Sequence, residues 1–154
     1  MPTEISSLIQ SLEETLTGQP WYGRNIETLL DQTDPARAWQ KPAATSHSPA
    51  ELLFHMINWA AFTLDRLQPG PGKEPRFFEE GDWLAPDAPR PDWQEGVNQF
   101  RHIHREIIRC LAEREDGFLD QPVEGRNYTY RYLIGGLIQH NIYHAGQIAL
   151  LNKS

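Results

Sequence analysis

The chain has 154 residues, of which 39% are hydrophobic and 23% are charged, and its formal net charge is −7 at pH 7. These values fit one globular domain over residues 1–154 with a hydrophobic core, and they exclude an intrinsically disordered chain. The acidic charge and the scattered basic residues lack the electropositive surface that nucleic acids require, so we expect no nucleic-acid partner.

No segment of the sequence predicts contact with a membrane. The first seven residues hold no basic region followed by a long apolar stretch, so we expect no secretion signal and a cytoplasmic location. The longest strongly apolar stretches, such as residues 132–138, are far shorter than the roughly 20 residues that span a bilayer.

The first helical pattern covers about residues 5–30. Its apolar positions recur on one face, with Ile5, Leu8, Ile9, Leu12 and Leu16 before an interruption and Ile26, Leu29 and Leu30 after it. The interruption at residues 18–23 contains two glycines and a proline. These residues predict a break or bend at this point.

The second helix has a strong start signal. Ser48 can serve as the N-cap, Pro49 occupies the first helical position and Glu51 the third, which is the pattern of a capping box. The apolar periodicity then continues to about residue 67. The inward face carries Leu52, His55, Trp59 and Phe62.

Residues 69–91 hold six prolines and predict a long loop. Loops of this length in a compact domain are usually functional. Phe77, Phe78 and Trp83 indicate that this loop packs against the domain rather than extending into solvent.

Two further helices are predicted at about residues 93–114 and 130–152. Four amphipathic helices without a convincing strand predict an all-α fold, a four-helix bundle with a long loop between helices 2 and 3. Cys110 is the only cysteine and lies in an apolar stretch of the third helix. It cannot form an intrachain disulfide, and we expect a buried, unreactive thiol.

Three of the six histidines lie on the inward-facing apolar faces of the second and fourth predicted helices. His140 and His144 are four residues apart on the last helix, so their imidazoles project from one face and can bind one metal ion at about 2.0–2.1 Å. If the second and fourth helices run parallel, His55 can join them. Burying three imidazoles costs free energy unless each finds a partner. One interpretation is that a single metal ion binds all three imidazoles. The alternative is that they are separate core or interface histidines, each hydrogen-bonded to backbone groups or water.

The remaining histidines are expected outside this cluster. His47 precedes the N-cap of the second helix and is interpreted as a solvated or capping neighbour. His102 and His104 are two residues apart, so they face different directions and cannot readily share a metal. We interpret both as surface residues.

The position after the first histidine of the His-x3-His pair is Asn141. Zinc proteases of this spacing carry glutamate there as the general base. An amide cannot accept a proton from a metal-bound water, so we do not expect a peptidase of that class.

Three stretches of the chain resemble the DinB/YfiT-like family of metal-dependent enzymes: residues 18–23, residues 47–55 with Trp59, and residues 137–148. The resemblance covers nearly the whole chain. It implies a four-helix bundle with a metal ion at one end of the core, held by His55, His140 and His144. It also implies a homodimer, because members of the family often pair. Relatives include thiol-dependent transferases and a thiol-dependent isomerase.

A neutral three-histidine site leaves an open position for substrate. The expected cofactor is a divalent metal, Zn or Ni, that activates a low-molecular-weight thiol for attack on an electrophilic small molecule. The alternatives are a metal-hydroxide hydrolase and a non-catalytic, stress-related metal-binding bundle. Tyr143 and Gln147 flank the pair and are candidates for contacts with the ligands or the substrate; ordinary packing groups are the other interpretation.

Overall fold

The computed structural model describes residues 2–44 and 46–153 and is all-α over those residues. The helices are α1 (Glu4–Thr17), α2 (Ile26–Asp31), α3 (Pro49–Leu67), α4 (Pro75–Glu80), α5 (Trp93–Ala112) and α6 (Tyr130–Leu151), with short 3-10 helices at Pro35–Arg37 and Asp116–Asp120. The four long helices, α1, α3, α5 and α6, form the predicted bundle. Among the helices described, none combines the length and apolar character needed to cross a bilayer.

Local capping sets the start of α3, the helix that carries His55. The Ser48 hydroxyl accepts a hydrogen bond from the Glu51 amide at 3.1 Å, and the Glu51 carboxylate accepts one from the Ser48 amide at 3.3 Å. This reciprocal pair satisfies two amides that have no partner within the helix. Since α3 begins at Pro49 and ends at Leu67, the predicted start and end of this helix are confirmed.

The first predicted helical region is divided into α1 and α2. The Gly18 amide donates to the carbonyls of Glu13 and Glu14, both at 3.1 Å, and ends α1. The Asn25 side chain then accepts from the Thr28 amide at 2.8 Å and begins α2. The predicted break is therefore confirmed, and the residues between Thr17 and Ile26 belong to neither helix.

The long loop between α3 and α5 contains α4, which the sequence pattern did not predict. Six residues are too few for a helical periodicity to be visible. Phe78 is buried in the core, whereas Phe77 is 55% exposed. Asn58 of α3 donates to the Phe78 carbonyl at 2.8 Å, and a side chain at Gly81 would lie 2.9 Å from the Asn58 amide oxygen. The loop therefore packs closely on α3, as its aromatic residues indicated.

Helices α3 and α6 pack antiparallel. The Tyr130 hydroxyl, at the start of α6, donates to the Arg66 carbonyl near the end of α3 at 2.7 Å. At the opposite ends, Pro49 and Leu151 line the same small cavity. The parallel arrangement assumed in the sequence argument is therefore wrong. The histidines still converge, because His55 lies about two turns after the start of α3 and His144 about two turns before the end of α6.

A buried histidine links α5 to α6. The His104 side chain is 1% exposed; its Nδ1 donates to the Phe100 carbonyl at 2.8 Å, and its Nε2 accepts from the Asn141 amide nitrogen at 2.9 Å. The predicted surface position of His104 is wrong, since α5 turns this residue toward the core, while His102 is exposed. Burial lowers the pKa of His104 to about 4.

This burial predicts a pH-dependent stability. The unfolded chain has the higher His104 pKa, so it binds more protons than the native chain as the pH falls from about 6.5 toward 4. The stabilisation that comes from burying neutral His104 is present above about pH 6.5 and is lost as the pH falls toward 4. Between about pH 7 and pH 5 the wild type should lose about 2 kcal/mol of unfolding free energy that His104→Gln does not lose. Urea unfolding of both proteins in EDTA measures this difference, and equal losses would contradict the assignment.

Candidate metal centre

The structure brings together the three histidines singled out from the sequence. The Nε2 atoms of His55 and His140 are 3.0 Å apart, and those of His140 and His144 are 3.1 Å apart. The candidate ligand atoms of all three residues lie within 4.8 Å of one another. His55 and His144 are each 7% exposed, and His140 is half-buried. One side of the cluster therefore meets the surface at His140.

Hydrogen bonds at the far side of two rings define their orientation. Nδ1 of His55 lies 2.8 Å from the backbone carbonyl of Asp82 and 3.1 Å from its carboxylate. Nδ1 of His144 lies 2.5 Å from the side-chain oxygen of Gln147. Both partners are acceptors, so both Nδ1 atoms carry the proton. In the neutral rings, each Nε2 then points a lone pair into the centre of the cluster.

Three nitrogens in this arrangement could hold a metal ion between them. If Nε2 of His140 carries the proton, it can donate to one neighbour only, and the lone pair of the other neighbour has no partner. If Nδ1 of His140 carries the proton, the three Nε2 atoms present only lone pairs to one another across about 3 Å. Its Nδ1 is buried and has no hydrogen-bond partner among the described residues. A tetrahedral zinc ion bound at about 2.0–2.1 Å holds its nitrogen ligands roughly 3.3 Å apart. The residues present therefore fit one divalent metal ion.

The electrostatics of the cluster favour the neutral form of His140 and His144. Burial is the main cause that lowers the pKa of His140 to about 4, and the neighbouring His144 and His55 lower it further, against an opposing effect of Asp82. Burial also lowers the pKa of His144, although its hydrogen bond to Gln147 opposes the shift. Neutral imidazole is the form that binds metals, so protons compete weakly for these two ligands near neutral pH.

Trp83, from the long loop, covers one side of the cluster. Its ring is stacked 3.8 Å from the His55 ring and 3.8 Å from the His47 ring, with interplanar angles of 3° and 4°. Two imidazoles cannot occupy one face at these distances, so the indole lies between them. His47 is thus separated from the three clustered histidines by the indole, beside Glu51 at 3.5 Å.

The two flanking candidates occupy different environments. Gln147 contacts His144 directly, as described above. Tyr143 is 67% exposed, and its ring centroid lies 5.0 Å from that of His144. Sequence reasoning missed Asp82, which also accepts from the Trp59 indole at 2.6 Å. The position of Asp82 directly before Trp83 was a possible signal in the sequence. Nothing in the sequence indicated that Asp82 would contact His55 and Trp59.

Comparison with known proteins gives one result that bears on this geometry. A family model of the DinB superfamily matches residues 22–148, a range that contains all three clustered histidines. No curated protein matches the chain.

The cluster predicts metal binding that depends on each histidine. Protein purified without a histidine tag and incubated with Zn²⁺ should retain about one ion per chain, and His140→Ala should retain almost none. His102→Ala, which removes an exposed histidine of α5, is the matched control and should bind as wild type does. Inductively coupled plasma mass spectrometry measures the content. Equal zinc in all three proteins would exclude this site.

The contact between Gln147 and His144 predicts a second effect. Gln147→Ala removes the acceptor that holds the His144 ring, so metal affinity should fall about 10–100-fold without loss of the fold. Gln139→Ala alters an exposed glutamine of the same helix and should leave the affinity unchanged. Competition with a chromophoric chelator gives both dissociation constants. An unchanged affinity in Gln147→Ala would show that the contact does not support the ligand.

Proposed function

Since this chain belongs to the DinB superfamily, we propose that it is a metal-dependent enzyme that transfers a low-molecular-weight thiol to an electrophilic small molecule. The observation that carries the proposal is the convergence of three imidazoles with one side at the surface. Three neutral nitrogen ligands with an open position are typical of catalytic rather than structural zinc sites. Imidazole ligands suit zinc and nickel alike.

The chain's own residues hold and orient the site. His55, His140 and His144 would bind the ion, while Asp82 and Gln147 fix the Nδ1 protons of two of them. Trp83 shields the His55 side from water through its stacked ring. When bound, a divalent cation lowers the pKa of a thiol or a water molecule and so makes a nucleophile available near neutral pH.

The lack of an available base in the cluster favours a thiol over water as the nucleophile. The carboxylate of Asp82 accepts a hydrogen bond from Trp59 and lies 3.1 Å from Nδ1 of His55, on the side of that ring away from the clustered Nε2 atoms. Asn141, at the position of the protease glutamate, is fully buried and donates to His104 instead. A thiol ionises far more readily than water and needs less help from a base. The chain's own Cys110 is buried, so we infer that the reacting sulfur is supplied by a small molecule.

The proposed reaction is a substitution at carbon. The thiol loses its proton to solvent, its sulfur forms a bond to the electrophilic carbon, and the leaving group departs with the electron pair of the broken bond. With an epoxide, the ring oxygen stays attached to the product and takes up a proton.

The proposal predicts thiol transfer that requires the metal. Wild-type protein loaded with Zn²⁺ or Ni²⁺ should accelerate formation of the thioether from glutathione or cysteine and 1-chloro-2,4-dinitrobenzene. EDTA treatment should reduce the rate to the uncatalysed background, and restored metal should recover it. His144→Ala should be inactive, whereas His102→Ala should retain full activity. The absorbance of the thioether measures the rate.

The other outcomes identify the rival functions. Metal-dependent cleavage of an ester without thiol transfer would identify a hydrolase. Stoichiometric metal with neither reaction across a panel of thiols and electrophiles would identify a non-catalytic metal-binding bundle. Either result would contradict the proposed transferase.

A further inference from the structure

A shallow groove lies between α3 and α6, beside the half-buried ligand His140. Its volume is about 170 Å³, and His140 is one of the residues that line it. Trp59 and Leu137 line it together with Tyr128 and Tyr132, whose ring centroids are 5.0 Å apart. The groove therefore adjoins the cluster at its half-buried member, His140.

The lining of this groove is apolar. No charged side chain is among the described residues that line it, and His140 is its only ionisable nitrogen base. The Trp59 indole N–H is taken by the Asp82 carboxylate, so this ring offers its hydrocarbon surface. Amino-acid-derived thiols carry charged ammonium and carboxylate groups, which are costly to bury without partners. The groove consequently does not suit the thiol.

The size of the groove suits a single ring. An apolar cavity of about 150 Å³ holds one benzene molecule, close to the 170 Å³ available here. Aromatic walls add favourable edge-to-face and offset-stacked contacts to the burial of an aromatic guest. Gly136 leaves this space open, because a Cβ atom at that position would meet nothing within 4 Å.

We propose that this groove binds an aromatic ring carried by the electrophilic substrate. That the ring belongs to a substrate rests on the proposed thiol transfer. The binding of the ring itself depends only on the groove. The substrate class is then a monocyclic aromatic compound whose electrophilic carbon is part of the ring, is attached to it or is one short link away from it.

The binding step is tested without metal or catalysis. Fluorobenzene cannot bind a metal, and its ¹⁹F resonance broadens when it exchanges with a protein site. We expect broadening with metal-free wild type, and a large reduction with Gly136→Val, which fills the groove, and with Tyr132→Ala, which removes part of its wall. Gly146→Val is the matched control, since Gly146 is an exposed glycine of the same helix that also has nothing within 4 Å of a Cβ position. No broadening, or equal broadening in all four proteins, would overturn the proposal.

The substrate step is tested with two epoxides, styrene oxide and propylene oxide, which differ in a phenyl and a methyl group. With zinc-loaded wild type and glutathione, kcat/KM should favour styrene oxide by about tenfold or more, because burial of the ring stabilises only that complex. Gly136→Val should abolish the preference while binding zinc as wild type does, and Gly146→Val should retain it. Equal kcat/KM values for the two epoxides in wild type would overturn the assignment of the ring. Fluorobenzene binding without any metal-dependent transfer would instead contradict the proposed function and leave only an apolar binding groove.

Discussion

The mutual approach of three imidazole nitrogens is the constraint on which the rest of the site depends. Rings held with Nε2 atoms 3.0 and 3.1 Å apart cannot all be satisfied by hydrogen bonds within the cluster, because each Nε2 carries at most one proton, whereas a metal ion between them would use all three lone pairs. Such an arrangement survives only where the surrounding structure enforces it. The antiparallel packing of α3 on α6 brings the rings close, and the acceptors Asp82 and Gln147 keep their protons on the outer side.

The long loop contributes as much to the site as the helices that carry the ligands. Three hydrogen bonds attach it to α3 at two loop residues: Asn58 binds the Phe78 carbonyl, while His55 binds the Asp82 carbonyl and Trp59 the Asp82 carboxylate. Trp83 follows directly and stacks on His55. The loop thus closes one side of the cluster, and the apolar groove beside His140 leaves the other side accessible. A ligand can therefore approach the cluster from the side of the groove.

Sequence alone predicted the elements whose signals are local. The capping box at Ser48 defined the start of α3, and the four-residue spacing of His140 and His144 placed both rings on one face. The relative direction of α3 and α6 was not predictable, because either direction buries the same apolar stripes. Burial of His104 was also missed, since its position on the helix depends on which face α1 and α6 cover. The roles of Asp82 and the groove are contacts between distant segments, and no periodicity encodes them.

The hydrogen bond from His55 to the main-chain carbonyl of Asp82 has a consequence for how such a site tolerates mutation. A backbone acceptor is retained whatever side chain occupies the position, so substitution at residue 82 would cost the indole of Trp59 its partner but would leave the imidazole anchored. Insertion or deletion of a single residue between α4 and Trp83 would instead shift another carbonyl into register and turn it away from the ring. The orientation of this ligand is therefore robust to changes of residue type and sensitive to changes of loop length.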